Sequence, residues 1–238
     1  MIVSVHQPQY LPWLGYFDKI DKSDCFVFLD TVQYKVREFQ NRNKIRIDNK
    51  WIWLTVPVKI KGNARQKICD IEIDNTQDWA TEHRKSLQSW YSKAPFFKHH
   101  FPFFEQVFYK KWDKLSDLNI YIIRYILAEL AVKTPLHFES KIGTTKKSTD
   151  RIIELCQRLN ADTYLSGVGG RSYLEEDKFK QAKIKLVYQE FKHPVYEQQF
   201  VSNEHPFMAY MSVADLLFNA GPKSMDIIRQ RDREISDE

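Results

Sequence analysis

The chain contains few cysteines, and their placement excludes two common structural roles. Cys25, Cys69 and Cys156 are widely spaced, and none belongs to a CxxC pair. An odd number of scattered cysteines favours neither a disulfide framework nor a zinc site. Each lies in an apolar or alternating run, so we expect three buried free thiols.

Long apolar runs are also absent. No stretch of about 18 consecutive apolar residues occurs, so we expect no membrane span. The N-terminal residues MIVSVHQPQY lack the charged segment and the long apolar segment of a secretory signal peptide. We therefore expect a cytoplasmic protein.

A strong charge bias is missing too. Lys and Arg number 36 and Asp and Glu 31, a net charge of +5. The basic residues cluster only locally, at 35–46 and 141–151, whereas nucleic-acid binders gather charge in one stripe. An anionic small molecule explains both clusters, so we expect no nucleic acid as the primary ligand. The oligomeric state stays open at this stage, a homodimer included.

The chain does have enough apolar residues, 43%, for a full core. Apolar runs at 2–5 and 25–29 predict two buried strands, and the segment 14–23 between them predicts a crossover helix. A predicted helix that begins at Ser148 or Thr149 leads into a shorter strand at 163–165, and after a loop another short strand is expected at 184–188. The pattern predicts a three-layer α/β fold with a mainly parallel sheet, in one domain spanning 1–238.

The middle of the chain predicts a helical, aromatic-rich insertion over 75–135. Before it, strands are expected at 51–58 and 69–74, joined by a polar loop at 61–67. Helices are expected at 79–91 and 103–112, and a long one from Ser116 to about 132. Another helix is expected at 212–218, and the charged tail from 227 is expected to fray.

A polar segment, HQPQYLPWLGYFDKI at 6–20, follows the first predicted strand. Ligands of open α/β sheets bind beyond the carboxyl ends of strands, so His6 is a candidate catalytic group. A histidine that is simply hydrogen-bonded at a strand end is the alternative. Aromatic rings here can stack on a base or sugar, and glycine permits a close approach. The candidate binding residues are Gln7, Gln9, Tyr10, Trp13 and Gly15.

A second polar segment begins at Asp30, at the end of the second predicted strand. If the two strands are parallel neighbours, Asp30 and His6 share one sheet edge and can form an acid/base pair. Lys35 is a candidate catalytic and phosphate-binding residue. A solvated polar loop is the alternative. The candidate binding residues are Gln33, Gln40 and Asn41, since amides suit sugar hydroxyls, and Arg42, which can bind phosphate bidentately.

Three of the seven glycines fall at 167–170, directly after a predicted strand. Glycines let backbone N–H groups converge on an anion. The pattern is neither the Rossmann fingerprint nor a Walker A sequence. The candidate residues are Ser166, Gly167, Gly169, Gly170, Arg171 and Tyr173.

Two weaker signals complete the set. Asp215 and Asn219 lie four apart on one helix face, and a structural role competes there with ligand binding. His99, His100 and Glu105 lack metal-ligand spacing and no HExxH occurs, so we assign no metal.

Together these segments resemble the WbqC-like family, over 6–20, 26–45, 53–58, 79–97, 164–174 and 215–221. The resemblance implies a bacterial protein associated with O-antigen and other surface-polysaccharide gene clusters. The segment 11–16 also looks distantly like the HxGH region of nucleotidylyltransferase-like enzymes, which implies a Rossmann-like, nucleotidyltransferase-type fold and ATP binding. Pro12 or Trp13, and Tyr16, stand where that motif has histidines.

These features suggest three functions. The first is transfer of an acyl or aminoacyl group to the amine of a nucleotide-linked sugar, with His6 as base and Asp30 orienting it. The second is a nucleotidyltransferase that forms an adenylate or an activated sugar. The third is a glycan-binding protein without catalysis. ATP and a CoA ester are both candidate co-substrates, and neither the choice between them nor a need for Mg²⁺ follows from the sequence.

Overall fold

The structure is a computed structural model that describes residues 1–60 and 66–230. Most of the predicted loop at 61–67 and the last eight residues of the predicted tail lie outside the described residues. The strands are β1 (Ile2–His6), β2 (Cys25–Phe28), β3 (Arg42–Ile47), β4 (Lys50–Thr55), β5 (Val58–Lys59), β6 (Glu72–Ile73), β7 (Leu136–Phe138), β8 (Thr163–Ser166) and β9 (Lys185–Tyr188). The α-helices are α1 (Leu14–Asp21), α2 (Trp79–Tyr91), α3 (Phe97–Tyr109), α4 (Leu115–Glu129), α5 (Glu139–Ile142), α6 (Ser148–Arg158), α7 (Glu176–Gln181), α8 (Val213–Ala220) and α9 (Ser224–Arg229).

Five parallel strands form the central sheet in the order β7-β2-β1-β8-β9. β1 lies in the middle, with Val3 opposite Cys25 on one side and Ile2 opposite Thr163 on the other. The predicted β1–α1–β2 unit is confirmed. β7 was not predicted, because a strand of three partly exposed residues carries almost no hydrophobic pattern.

Side chains on the two faces of the central sheet pack into two separate apolar cores. Val3 and Val5 pack in one cluster with Leu155 of α6, whereas Phe26 and Phe28 belong to the other with Phe17 of α1. Successive residues of a strand point to opposite faces, so both faces of the sheet are covered by helices. The fold is therefore a three-layer α/β fold, as predicted.

An antiparallel hairpin of β3 and β4 stands beside the sheet. The predicted strand at 51–58 ends at Thr55. Its partner β3 was missed because its sequence, RNKIRI, contains charged and amide residues. Two of them are nevertheless buried, since Asn43 donates to the Leu11 carbonyl at 2.6 Å and Arg46 is fully hydrogen-bonded. Burial of satisfied polar groups leaves no hydrophobic periodicity to detect.

The predicted strand at 69–74 is wrong over most of its length. Ile68–Asp70 forms a 3₁₀ turn, and only β6 remains extended, paired with β5 outside the central sheet. Cys69 is only partly buried, and its N–H donates to the Asp30 carbonyl at 2.9 Å. Local backbone bonds replace the ladder that the alternating pattern predicted.

The helical segment differs from the prediction mainly at its boundaries. α2 has the predicted bounds, but α3 begins at Phe97, six residues before the predicted start at 103. Phe97 stacks on Phe101 one turn later, with ring centroids 4.4 Å apart. Lys114, not Ser116, occupies the N-cap position of α4. The division into one domain with an insertion at 75–135 stays a prediction.

The C-terminal helices α8 and α9 follow one another, and α9 packs against α1. Ser212 caps α8 through its Oγ, which accepts a hydrogen bond from the Ala214 N–H at 3.2 Å. α9 includes Ile227, where the tail was expected to fray, and Arg229 forms an ion pair with Asp21. None of the helices in residues 1–60 and 66–230 combines the length and hydropathy needed to cross a bilayer.

Candidate functional site

The strand order reverses direction between β1 and β8. From β1 the chain adds β2 and β7 on one side, and β8 and β9 on the other. Open α/β sheets bind ligands at such a switch point, outside the carboxyl ends of the strands. A pocket of about 540 Å³ lies at this position. It brings together eight residues predicted from the sequence: His6, Gln7, Lys35, Ser166, Gly167, Gly169, Gly170 and Tyr173.

His6 is the last residue of β1 and is partly buried. Its Nδ1 lies 3.1 Å from the Gln7 carbonyl oxygen, and the edge of the Tyr16 ring packs against it. Burial, reinforced by the Lys19 ammonium, lowers the pKa of His6 from 6.5 to about 3. His6 is therefore a neutral imidazole at physiological pH, suited to hydrogen bonding but a weak base.

Lys19 is a lining residue of the pocket that the sequence did not reveal. It lies on α1 with only 3% of its surface exposed, and its Nζ donates to the Val5 carbonyl at 3.1 Å. The neighbouring Asp18 carboxylate pairs with Lys22 instead. Burial lowers the pKa of Lys19 from 10.5 to about 7. A lysine that readily exchanges a proton near neutral pH is a typical catalytic group.

The sequence did contain a signal for Lys19. Lys19 follows Gly15 by four residues and Tyr16 by three, so the three share one face of α1. The Tyr16 hydroxyl on that face donates to the Gln7 carbonyl at 3.2 Å, at the edge of the pocket. A lysine on the strand-facing side of a short crossover helix is unusual, because lysine is almost never fully buried unless it is paired.

The glycine loop follows β8 as a 3₁₀ turn over Val168–Ser172. The Gly170 N–H donates to the Gly167 carbonyl at 2.9 Å, which closes the turn. Within the described part of the chain, the N–H groups of Val168 and Gly169 donate to no backbone carbonyl outside the turn. Unpaired N–H groups at the start of a turn favour an anion.

The loop requires glycine at one position in particular. A Cβ atom on Gly170 would lie 2.1 Å from Ser166 Oγ and 2.9 Å from Leu174 Cδ1. Gly169 has no such neighbour within 4 Å. Gly170 therefore allows the Ser166 hydroxyl to keep its place at the wall of the pocket.

Gln40 lies behind the pocket and supports Gln7. Its Nε2 donates to Gln7 Oε1 at 2.8 Å, and its Oε1 accepts from the Lys35 backbone N–H at 2.9 Å. Asn119 holds the Gln40 backbone, donating to its carbonyl at 2.7 Å. Gln40 thus positions Gln7 and Lys35 without lining the pocket, whereas the exposed Lys35 lies at its rim.

Tyr10 and Asp30 occupy other places than those predicted. Tyr10 has no exposed surface, and its hydroxyl lies 2.8 Å from His83 Nδ1, so it cannot stack on a ligand. Both Asp30 oxygens accept hydrogen bonds from Ser140, at 2.9 Å from its N–H and 2.5 Å from its hydroxyl. No hydrogen bond joins Asp30 to His6 among the described residues, so the predicted acid/base pair does not form.

The remaining candidates of the first segment serve packing. Trp13 contacts Phe191 and Tyr210, with ring centroids 5.4 and 6.0 Å away. A Cβ on Gly15 would lie 2.3 Å from the Trp13 ring, so this glycine permits that packing. Gln9 is buried and does not line the pocket.

The amide-rich candidates of the second segment belong to the hairpin region. Asn41 is buried and donates to the Val56 carbonyl at 2.8 Å. The Arg42 guanidinium lies over the Trp53 ring, 4.3 Å from its centroid. Gln33 is exposed, and none of these residues lines the pocket. They therefore lie outside this pocket, and the prediction that they bind a ligand stays a prediction.

Three late candidates also lie elsewhere. Arg171 stacks over the Tyr188 ring at 4.1 Å and does not line the pocket. Asp215 has no exposed surface and accepts hydrogen bonds from two buried tyrosine hydroxyls, and burial raises its pKa above 3.8. The Asn219 amide donates to the Asp215 carbonyl at 2.7 Å. Asp215 and Asn219 are therefore structural, the alternative that the sequence had left open.

Comparison with known proteins shows that the chain is similar to one protein family and to one curated relative. The WbqC-like protein family matches residues 7–227. The uncharacterized protein Rv1507c of Mycobacterium tuberculosis is 34% identical over 229 residues, which cover 95% of this chain and 97% of that protein. No solved structure matches the chain. The family match includes both sides of the pocket, α1 with Lys19 and the glycine loop.

Proposed function

Because the chain belongs to the WbqC-like protein family, we propose that it is an enzyme of bacterial surface-polysaccharide (O-antigen) biosynthesis. It transfers an acyl or aminoacyl group to the amine of a nucleotide-linked sugar, activated either by ATP or as a CoA ester. The observation that carries the proposal is the buried Lys19, with a pKa of about 7, in the pocket at the switch point.

Lys19 replaces His6 as the general base of this reaction. A base works best when its pKa lies near the operating pH. The pKa of His6 is about 3, which makes it too weak to take a proton from an amine, whereas that of Lys19 is about 7. His6, as a neutral imidazole, orients the substrate by hydrogen bonding.

The chemical step balances with Lys19 in its neutral form. The sugar amine attacks the acyl carbon, a C–N bond forms, and the bond from that carbon to the AMP phosphate or the CoA sulfur breaks. Lys19 Nζ accepts the proton that the attacking nitrogen loses. The leaving group departs as an anion.

The glycine loop and Lys35 supply the anion-binding part of the site. The free N–H groups at the start of the loop suit phosphate oxygens, and Lys35 adds positive charge at the rim. Gln7 and Ser166 offer hydrogen-bonding groups to sugar hydroxyls. A nucleotide-linked sugar therefore matches the mixture of charge and amides that lines the pocket.

Replacing Lys19 by Met tests the catalytic assignment. We expect turnover to fall by about 10²–10⁴-fold, the usual contribution of a general base. Lys22→Met is the matched control, because Lys22 lies three residues after Lys19, directly after the end of α1, and is exposed. In wild-type enzyme, kcat/KM should fall as pH drops through about 7, because the protonated lysine cannot accept a proton. If kcat/KM instead fell only near pH 3, the base would be His6. Full activity of Lys19→Met would show that Lys19 takes no part in the mechanism.

A thermal-shift screen identifies the substrate class first. Purified protein is mixed with ATP, CoA, acetyl-CoA, UDP-sugars and dTDP-sugars, with and without Mg²⁺. A ligand at 100 times its Kd adds about 2.7 kcal/mol of stability. We expect a nucleotide sugar to raise the Tm together with ATP or CoA. Pyrophosphate release with ATP and no transfer would favour a nucleotidyltransferase, and a response to sugars alone, unchanged in Lys19→Met, would favour a glycan-binding protein.

A further inference from the structure

A second cluster of chemically active side chains lies on the helical layer and shares no residue with the pocket. His99 and His100 are neighbours on α3, and Glu129 lies near the end of α4. The ligand atoms of these three residues all lie within 4.8 Å of one another. No sequence pattern marks this group, because the two helices contribute residues that are 30 positions apart.

Two of the three distances within the cluster lie close to those between ligands of a bound metal ion. Glu129 Oε2 lies 3.0 Å from His99 Nε2 and 3.6 Å from His100 Nδ1. Ligands about 2.0–2.2 Å from a tetrahedral Zn²⁺ are separated by roughly 3.3–3.5 Å. Shifts of a few tenths of an ångström therefore bring both contacts onto the edges of a tetrahedron.

The chemistry of the cluster also suits a borderline divalent ion. Two imidazoles and one carboxylate are common zinc ligands, and three protein ligands leave a fourth position for water. His100 is 2% exposed, so one of the three ligands lies inside the helical layer.

We propose that His99, His100 and Glu129 bind a divalent transition-metal ion of the Zn²⁺ type and so connect α3 to α4. The Tyr125 hydroxyl lies 2.9 Å from His100 Nδ1 and competes for that nitrogen. Stacking on Phe103, with centroids 3.6 Å apart, holds the Tyr125 ring beside the site. Metal binding displaces this hydrogen bond.

Calorimetric titration of the untagged, chelator-treated full chain with ZnCl₂ tests the proposal. We expect one ion per chain, with affinity lowered by more than about tenfold in His99→Gln and in Glu129→Gln, since even supporting residues contribute that much. His137→Gln is the matched control, because His137 is an exposed histidine outside the cluster. The exposed position of His99 makes His99→Gln the variant least disturbing to the fold.

Two further variants separate the site from other zinc binding. Tyr125→Phe removes the competing hydrogen bond, so we expect equal or tighter binding. Cys69→Ser tests the partly buried thiol and should change nothing. With Co²⁺, wild-type protein should show the visible absorption of a four-coordinate ion, absent in His99→Gln. Absence of saturable binding, or equal affinity of Glu129→Gln and wild type, would overturn the proposal.

Discussion

Burial of Lys19 lowers the stability of the protein and at the same time lowers the pKa of its side chain into a range useful for catalysis. Its aliphatic stem and ammonium are buried between α1 and β1, where a charge is costly. One hydrogen bond, to the Val5 carbonyl, offsets only part of that cost. Residues that lower stability in this way persist at functional sites, because the perturbed pKa serves the chemistry.

Lys19→Met should therefore stabilise the protein while it lowers turnover by about 10²–10⁴-fold. We expect a gain of about 2–4 kcal/mol at pH 6, because each pKa unit of depression corresponds to roughly 1.4 kcal/mol and the lost hydrogen bond subtracts a part. Unfolded Lys19 keeps its proton up to about pH 10.5, and folded Lys19 releases it above about 7. The wild type thus gains stability from pH 7 to 10.5, and the advantage of the variant shrinks over that range.

Urea denaturation of both proteins at several pH values measures this difference. Lys22→Met, which removes the exposed lysine directly after α1, should show no comparable gain at pH 6. A pH-independent difference between Lys19→Met and wild type would show that Lys19 is charged throughout.

At the scale of secondary structure, the elements with a clear hydrophobic pattern were predicted from the sequence, and those without one were missed. β1, α1, β2, β8 and α2 carry clear patterns and were predicted within a few residues. β3 was not, because Asn43 and Arg46 are buried through hydrogen bonds to groups distant in the sequence. The same limit applies to the site: the residues at the ends of β1 and β8 were identified, but the roles of Tyr10, Asp30 and Asp215 depend on tertiary partners.

The glycine loop allows a matched test of backbone packing. Gly170→Ala places a methyl group against the Ser166 hydroxyl, which must turn away, so we expect nucleotide-sugar affinity to fall by about tenfold or more (about 1.4 kcal/mol). Gly169→Ala has open space at the same turn, and both changes reduce the entropy of the unfolded chain equally. Affinities from calorimetry should separate the two variants. Equal losses would mean that loop flexibility, not the position of Ser166, governs binding.

At the scale of the whole molecule, one buried polar network joins three distant parts of the chain. Gln198 accepts from Arg46 Nη1 at 2.5 Å and donates to Asp215 Oδ1 at 2.8 Å. The Tyr91 and Tyr196 hydroxyls donate to the same carboxylate, each at 2.7 Å. The hairpin, α2 and α8 are thereby fixed relative to each other.

Asp215→Ala should cost about 3–5 kcal/mol of stability, since it leaves two buried tyrosine hydroxyls and the Gln198 amide without their acceptor and removes the carboxylate that attracts the buried Arg46. Asp177→Ala is the control, because Asp177 forms only an exposed ion pair with Lys180 and should change stability by less than about 0.5 kcal/mol. Chemical denaturation measures both. A small effect of Asp215→Ala would mean that water or a rotated side chain replaces the carboxylate.

The pairing of β1 with β8 has a consequence for how the protein is made. Ile2 lies opposite Thr163, so the central strand of the sheet finds one neighbour early and the other only after most of the chain has been synthesised. At a translation rate of roughly 5–20 residues per second, β1 is synthesised on the order of ten seconds before β8. During that time the edge of β1 that will pair with β8 has no partner strand. The pocket, which lies between β1 and β8, is thus completed late. Folding assistance during translation should matter more for this protein than its size alone suggests.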